Sequence, residues 1–142
     1  MSATTADIPS FEDIVMTMEL LPDLDERYQF LIDLGRKLPA LDDSERIEDN
    51  RVHGCQSSVW LLSSSTGSEV EFRGESDAAI VTGLVAVLLS LYNNRSAEAI
   101  LSTDATSELA RLNLEDYLSP NRRNGLSKMV ERIRSDAFGY AS

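Results

Sequence analysis

Fourteen consecutive residues, Ala78 to Leu91, carry no charge and are apolar on nearly every side of the helix they would form. A helix without a polar face must be covered by neighbours on several sides, so the rest of the chain has to build a shell around this run. A bilayer is the other way to cover it, but the run falls well short of the roughly 20 residues a membrane span demands and has no flanking cationic anchors. It is therefore read as the central helix of a folded core, with Ser76-Asp77 as its cap.

The flanking segments supply that shell. Residues 1–9 read as a leader. Ser10 followed by Asp13 offers a capping pattern for a helix running to about Leu21, where Pro22 ends it. Asp23 or Asp25 can cap a second helix in which Tyr28, Leu31, Ile32, Gly35 and Leu38 recur at helical spacing before Pro39. The two are expected to pack as a hairpin. After a polar connection, 41–50, comes a short extended piece around Arg51 to His53. Ser58 to Ser63 is rich in strand formers, Ser65 to Ser68 supplies a turn, and Glu69 to Arg73 alternates with period two. That is an antiparallel hairpin with Val70 and Phe72 on its buried face. Beyond the central helix, 96–101 and 107–112 read as short helices. Leu118-Ser119-Pro120 is a break, and a last helix over 123–137 carries the stripe Leu126, Met129, Val130 and Ile133. This order gives an α+β fold, one domain over 1–142, with a small antiparallel sheet and helices packed on one side. The other side of the sheet is left to face solvent.

Charge narrows the partners. The formal net charge is -11, and residues 1–50 hold 13 acidic and 4 basic side chains. Such a field repels phosphate backbones and anionic lipid, which argues against nucleic-acid and membrane partners and in favour of proteins. Arg122, Arg123, Lys128, Arg132 and Arg134 form a basic cluster in the last helix, read as a solvated face. The start of the chain shows neither the cationic region nor the apolar stretch of a secretory signal, so cytoplasm is the expected compartment.

With one cysteine and one histidine in the whole chain, no internal disulfide can form and no zinc or iron-sulfur site can be completed from cysteine and histidine. Cys55 follows Gly54 in a loop, where the backbone can bend and another molecule can approach. The alternative for such a thiol is a small buried hydrophobe. Sulfur transfer needs one thiolate and no second cysteine to resolve its persulfide, an inventory this chain satisfies. His53 stands two residues away, so a Cys-His thiol enzyme, a hydrolase or peroxidase, is conceivable, as is an exposed histidine with no role. Phosphate-binding loops, zinc-protease and serine-hydrolase motifs are absent from the sequence.

Four segments in order, Leu34 to Pro39, Asn50 to Trp60, Gly74 to Val81 and Leu118 to Leu126, resemble the SufE/CsdE-like sulfur acceptors that work with cysteine desulfurases. Ser58 departs from the glutamine familiar there. The resemblance implies a SufE/IscU-like fold and a sulfur carrier that takes persulfide sulfur onto Cys55, stimulates the desulfurase and delivers to iron-sulfur cluster assembly. It further implies that Gly54 and Gln56 shape the loop and that Arg122 takes part near the transfer site. The implied partners are a SufS/CsdA-like desulfurase, which holds the pyridoxal phosphate, and a SufBCD-like scaffold complex. No cofactor or metal of the chain's own is implied, and a monomer or weak homodimer is expected. A non-catalytic desulfurase adaptor remains a third reading.

Overall fold

In the computed structural model, residues 8–116 and 118–141 are described. The leader expected at 1–9 therefore lies mostly outside the described residues, although Ile8 packs against the core. Among the described residues, six α-helices and two strands follow in order: α1 (Phe11–Leu20), α2 (Leu24–Gly35), β1 (Val59–Thr66), β2 (Glu69–Ser76), α3 (Ala79–Tyr92), α4 (Ala97–Ser102), α5 (Ala105–Ala110) and α6 (Pro120–Tyr140). The fold is α+β, as the order of elements predicts. None of the described helices is long and apolar enough to cross a membrane.

Capping side chains place most helix starts. Ser10, Asp23, Ser96, Asp104 and Ser119 each accept a hydrogen bond from the backbone N–H three residues on. The last of these moves the start of α6 earlier than the sequence pattern suggests. Pro120 is the first helical residue, where its missing N–H costs nothing. At α3 the expected Ser76-Asp77 cap is not formed. Ala78 is the capping residue and has no side-chain bond to give. Both turn to Ser58 instead: the Ser76 hydroxyl donates to Ser58 O at 2.7 Å while accepting from Ala78 N at 3.2 Å, and Asp77 Oδ1 accepts from Ser58 N at 3.1 Å.

β1 and β2 pair antiparallel from Val59–Ser76 to Thr66–Glu69 around a two-residue turn. Alternation puts Val59, Leu61, Val70, Phe72 and Gly74 on one buried face, and Phe72 has no exposed surface. α3 packs against β2 on this face, and α6 runs beside β1. The opposite face is less open than the sequence suggests, because the segment 40–46 crosses it. Glu75 accepts from Leu41 N at 2.8 Å and pairs with Arg46 at 3.2 Å, while Arg73 pairs with Glu45. Both sheet edges are occupied too. Val52 N donates to Val59 O, and Val70 N donates to Arg95 O, each at 2.8 Å. Only one residue of the extended piece at 51–53 becomes sheet, through the bridge from Arg51 to Trp60.

α3 is the hub, with eleven of its residues buried. The two N-terminal helices do not form the expected hairpin; each packs instead on α3, with α2 making the larger contact. The physical reason is the glycine pair Gly35 and Gly83. A Cβ on Gly83 would stand 2.2 Å from Leu31 O, and one on Gly35 would stand 2.6 Å from Gly83 N. The α2 and α3 backbones therefore touch, which dispersion rewards.

Candidate functional site

The cysteine loop, residues 53–58, hangs between two fixed ends. Upstream, Val52 is buried and bonded to Val59. Arg132 of α6 donates to the carbonyls of Asp49, Arg51 and Leu61 at 3.1–3.3 Å, with Asp136 holding its Nε at 3.1 Å. Downstream, Ser58 is held through both its N–H and its carbonyl by Asp77 and Ser76. These anchors fix where the loop leaves and rejoins the core.

Between them the chain bends at Gly54, whose φ of +90° lies where L side chains are rarely found. The bend lays Cys55 against α6. Its thiol, half-buried, faces Gly125 O at 3.6 Å. The sulfur borders a hollow lined by Val81 and Leu84 of α3 and by Arg122, Gly125 and Met129 of α6. Only about 10 Å³ of that hollow is free, room for about one more atom beside the sulfur. A larger cavity of about 420 Å³ lies between α5 and α6, lined by Leu109, Leu114 and Val130. Its walls do not include Cys55, so the chemistry is placed at the smaller hollow.

Burial pushes the Cys55 thiol above its ordinary value, opposed by the positive charges of Arg51 and Lys128. The resting thiol is thus protonated at neutral pH. Alkylation of Cys55 by iodoacetamide is expected to rise with pH to a midpoint above that of the unfolded chain. Because the folded chain keeps this proton longer, the stability it contributes is complete below the unfolded midpoint and is lost as pH rises through the folded one. A midpoint at or below the unfolded value would contradict this burial.

Of the residues singled out by sequence, Gly54, Cys55, Gln56 and Arg122 are brought together. Gln56 is exposed at the rim of the hollow. Arg122 lines the hollow, but its Nη1 donates to Ser57 Oγ at 3.0 Å, which directs the guanidinium to the loop. His53 is 71% exposed and its Nε2 lies 2.7 Å from Glu48 Oε2. That contact turns Nε2 toward Glu48, and the charges that act on the thiol are those of Arg51 and Lys128.

The basic cluster of α6 also differs from the solvated face expected of it. Arg132 and Arg134 donate to backbone carbonyls, Arg134 to Leu101 O at 3.0 Å, and so stitch α6 to the fold. Arg51, Lys128, Asp77 and Gly125 were not picked out as site residues. Lys128 stands in the sequence as one of the basic cluster of the last helix, and nothing in its spacing ties it to the loop. Among the described residues, no three histidine, cysteine or carboxylate side chains stand close enough to hold a metal ion.

Comparison with known proteins places this geometry in context. The SufE family model, described as an Fe-S metabolism associated domain, matches residues 12–137. An uncharacterized SufE-like protein of Rhizobium meliloti (strain 1021) is 38% identical over 134 residues, 92% of this chain and 96% of that protein. One from Rhizobium etli is 39% identical over 132 residues, 90% of this chain and 89% of that protein. The solution structure of a hypothetical protein from Thermus thermophilus superimposes with a TM-score of 0.74 at 21% identity, covering 99% of this chain and 98% of that one. That likeness speaks for the fold.

Proposed function

This chain belongs to the SufE family of Fe-S metabolism associated domains, and from that premise we propose that Cys55 is the acceptor of a persulfide sulfur. The observation that carries the proposal is the position of the chain's single thiol. It stands on a bent loop over an apolar hollow with about one atom's room to spare. The donor is the persulfide of a pyridoxal-phosphate cysteine desulfurase, and the recipient is an iron-sulfur scaffold complex of the SufBCD kind.

The step needs no oxidant. The Cys55 thiolate attacks the outer sulfur of the donor persulfide; a new S–S bond forms as the donor's S–S bond breaks, and the donor cysteine leaves as thiolate and takes up a proton. The chain is left as a persulfide, whose outer sulfur is passed on by the same exchange. Pyridoxal phosphate stays with the desulfurase, and this chain requires no cofactor of its own. Removal of the product sulfur frees the desulfurase for its next turnover, which accounts for stimulation.

The hollow supports both ends of this cycle. Val81, Leu84 and Met129 exclude water from a sulfur that would otherwise be lost to stray thiols or oxidants, and Gly125 O accepts from a resting S–H. Arg122, tied to Ser57, holds the downstream half of the loop. Gln56, exposed beside the thiol, is placed to meet the docking partner.

Incubation of the full chain with the desulfurase and cysteine is expected to add one sulfur atom to its intact mass, at Cys55, and a His53→Ala protein is expected to be loaded equally well. An unchanged mass beside normal stimulation would replace this reading with that of a non-covalent adaptor. Loss of loading on removal of His53 would favour the Cys-His enzyme.

A further inference from the structure

One side chain reaches the acceptor loop in two ways. The Lys128 stem lies flat on Gly54: a Cβ at Gly54 would stand 3.1–3.2 Å from Lys128 Cγ, Cδ and Cε. One turn earlier on the same face of α6, Asn124 Nδ2 donates to Gly54 O at 3.4 Å and Gly125 O faces the thiol. Asn124, Gly125 and Lys128 thus grip two consecutive residues of the loop from one helix face. Among the described residues the Lys128 ammonium has only a long pairing, 3.6 Å to Glu131, and its side chain is 42% exposed. It is free to swing without breaking a tight bond.

Resting on the acceptor role assigned to Cys55 above, we infer that Lys128 is the positioning residue of the acceptor loop: its methylene stem holds the loop down through Gly54. Its positive charge bears on the thiol as well. Moving this side chain away would release the loop at the point where the backbone is already bent. The absence of a side chain at Gly54 is what allows the stem to lie so close.

The other charged groups around the thiol are committed elsewhere or lie upstream. His53 pairs with Glu48, Arg122 with Ser57, Asp77 with Ser58 N, and Glu131 with Lys128 itself. Arg51, the larger of the two charge influences on the sulfur, lies upstream of the loop and has its carbonyl held by Arg132. The α3 wall contributes only Val81 and Leu84. Lys128 is therefore the cation here whose stem and charge both bear on the loop and whose side chain can leave.

Two substitutions separate stem from charge. Lys128→Ala removes both and Lys128→Met retains an apolar stem. Iodoacetamide, a neutral reagent, reports Cys55 exposure and ionisation when alkylation of the full chain is followed against pH. Lys128→Ala is expected to raise the alkylation rate about tenfold near neutral pH and to lower the midpoint, since an opened loop loses its burial. Lys128→Met is expected to keep the loop closed and to raise the midpoint, because the positive charge that favours the thiolate is lost. An alanine rate within about twofold of the parent overturns the hold, and a methionine midpoint that stays in place overturns the charge. Alkylation requires no desulfurase, so these outcomes are distinct from success or failure of sulfur acceptance.

Discussion

Cys55→Ser is expected to abolish sulfur loading and to reduce desulfurase stimulation to the turnover of the desulfurase alone, while the chain stays folded. Serine is close to cysteine in size, and its hydroxyl can still donate to the Gly125 carbonyl that faces the thiol. What it lacks is a polarizable atom able to form an S–S bond, so the loss falls on chemistry alone. The half-buried position of Cys55 makes the cost to stability small, about 1 kcal/mol or less. The check is turnover of the desulfurase with each protein, beside intact mass and a thermal melt. Full stimulation by the serine protein would remove covalent transfer from the account and leave only docking.

The largest expected effect on stability lies away from the thiol, at the crossing of α2 and α3. A methyl group at Gly83 would meet Leu31 O at 2.2 Å and Leu31 C at 2.7 Å, both backbone atoms that cannot turn aside. Gly83→Ala must therefore push two helices apart in the centre of the core, where overpacking typically costs about 1–3 kcal/mol and sometimes more. At this contact we expect about 3 kcal/mol or more, a drop in melting temperature of about 10 °C. The contrast is Gly139→Ala near the end of α6, where an added Cβ meets nothing within 4 Å. That change is expected to be neutral or to stabilise by about 0.5–1 kcal/mol through helix propensity. Equal melting temperatures for the two variants would show that α2 can slide off α3 at little cost.

The thiol hollow depends on this crossing. Its α3 wall is Val81 and Leu84, one on each side of the Thr82-Gly83 contact with α2. Displacement of α3 would shift that wall against Cys55, so Gly83→Ala is also the variant in which stability and sulfur shelter decline together.

Element types were legible because each has a local cause. Ser10 and Ser96 mark their helices through a side-chain oxygen that satisfies a free N–H three residues on. Val70 and Phe72 alternate with Glu69, Glu71 and Arg73 because a half-covered sheet requires it. Failures came where a residue with a local preference had a stronger distant partner. Ser76 and Asp77 look like a cap for α3, yet both are drawn to Ser58, eighteen or more positions back, and so fasten the cysteine loop instead. Arg132 and Arg134 of α6 look solvated because their backbone acceptors are not sequence neighbours; only Asp136, which pairs with Arg132, is local. Their acceptors are the carbonyls of Arg51, Leu61 and Leu101, far off in the chain.

From the linear order of residues alone came the α+β class, the central apolar helix, the loop that carries Cys55 and the resemblance that assigns the thiol a role. These follow from short-range periodicity, capping chemistry and the presence of a single cysteine. Only the tertiary structure decided which face of the last helix meets that loop, that Arg51 and Lys128 supply the charge at the sulfur, and that His53 turns to Glu48. The reason is that burial and charge at Cys55 are sums over groups brought close by packing, and no spacing along the chain encodes a distance between Gly125 and a residue 70 positions before it.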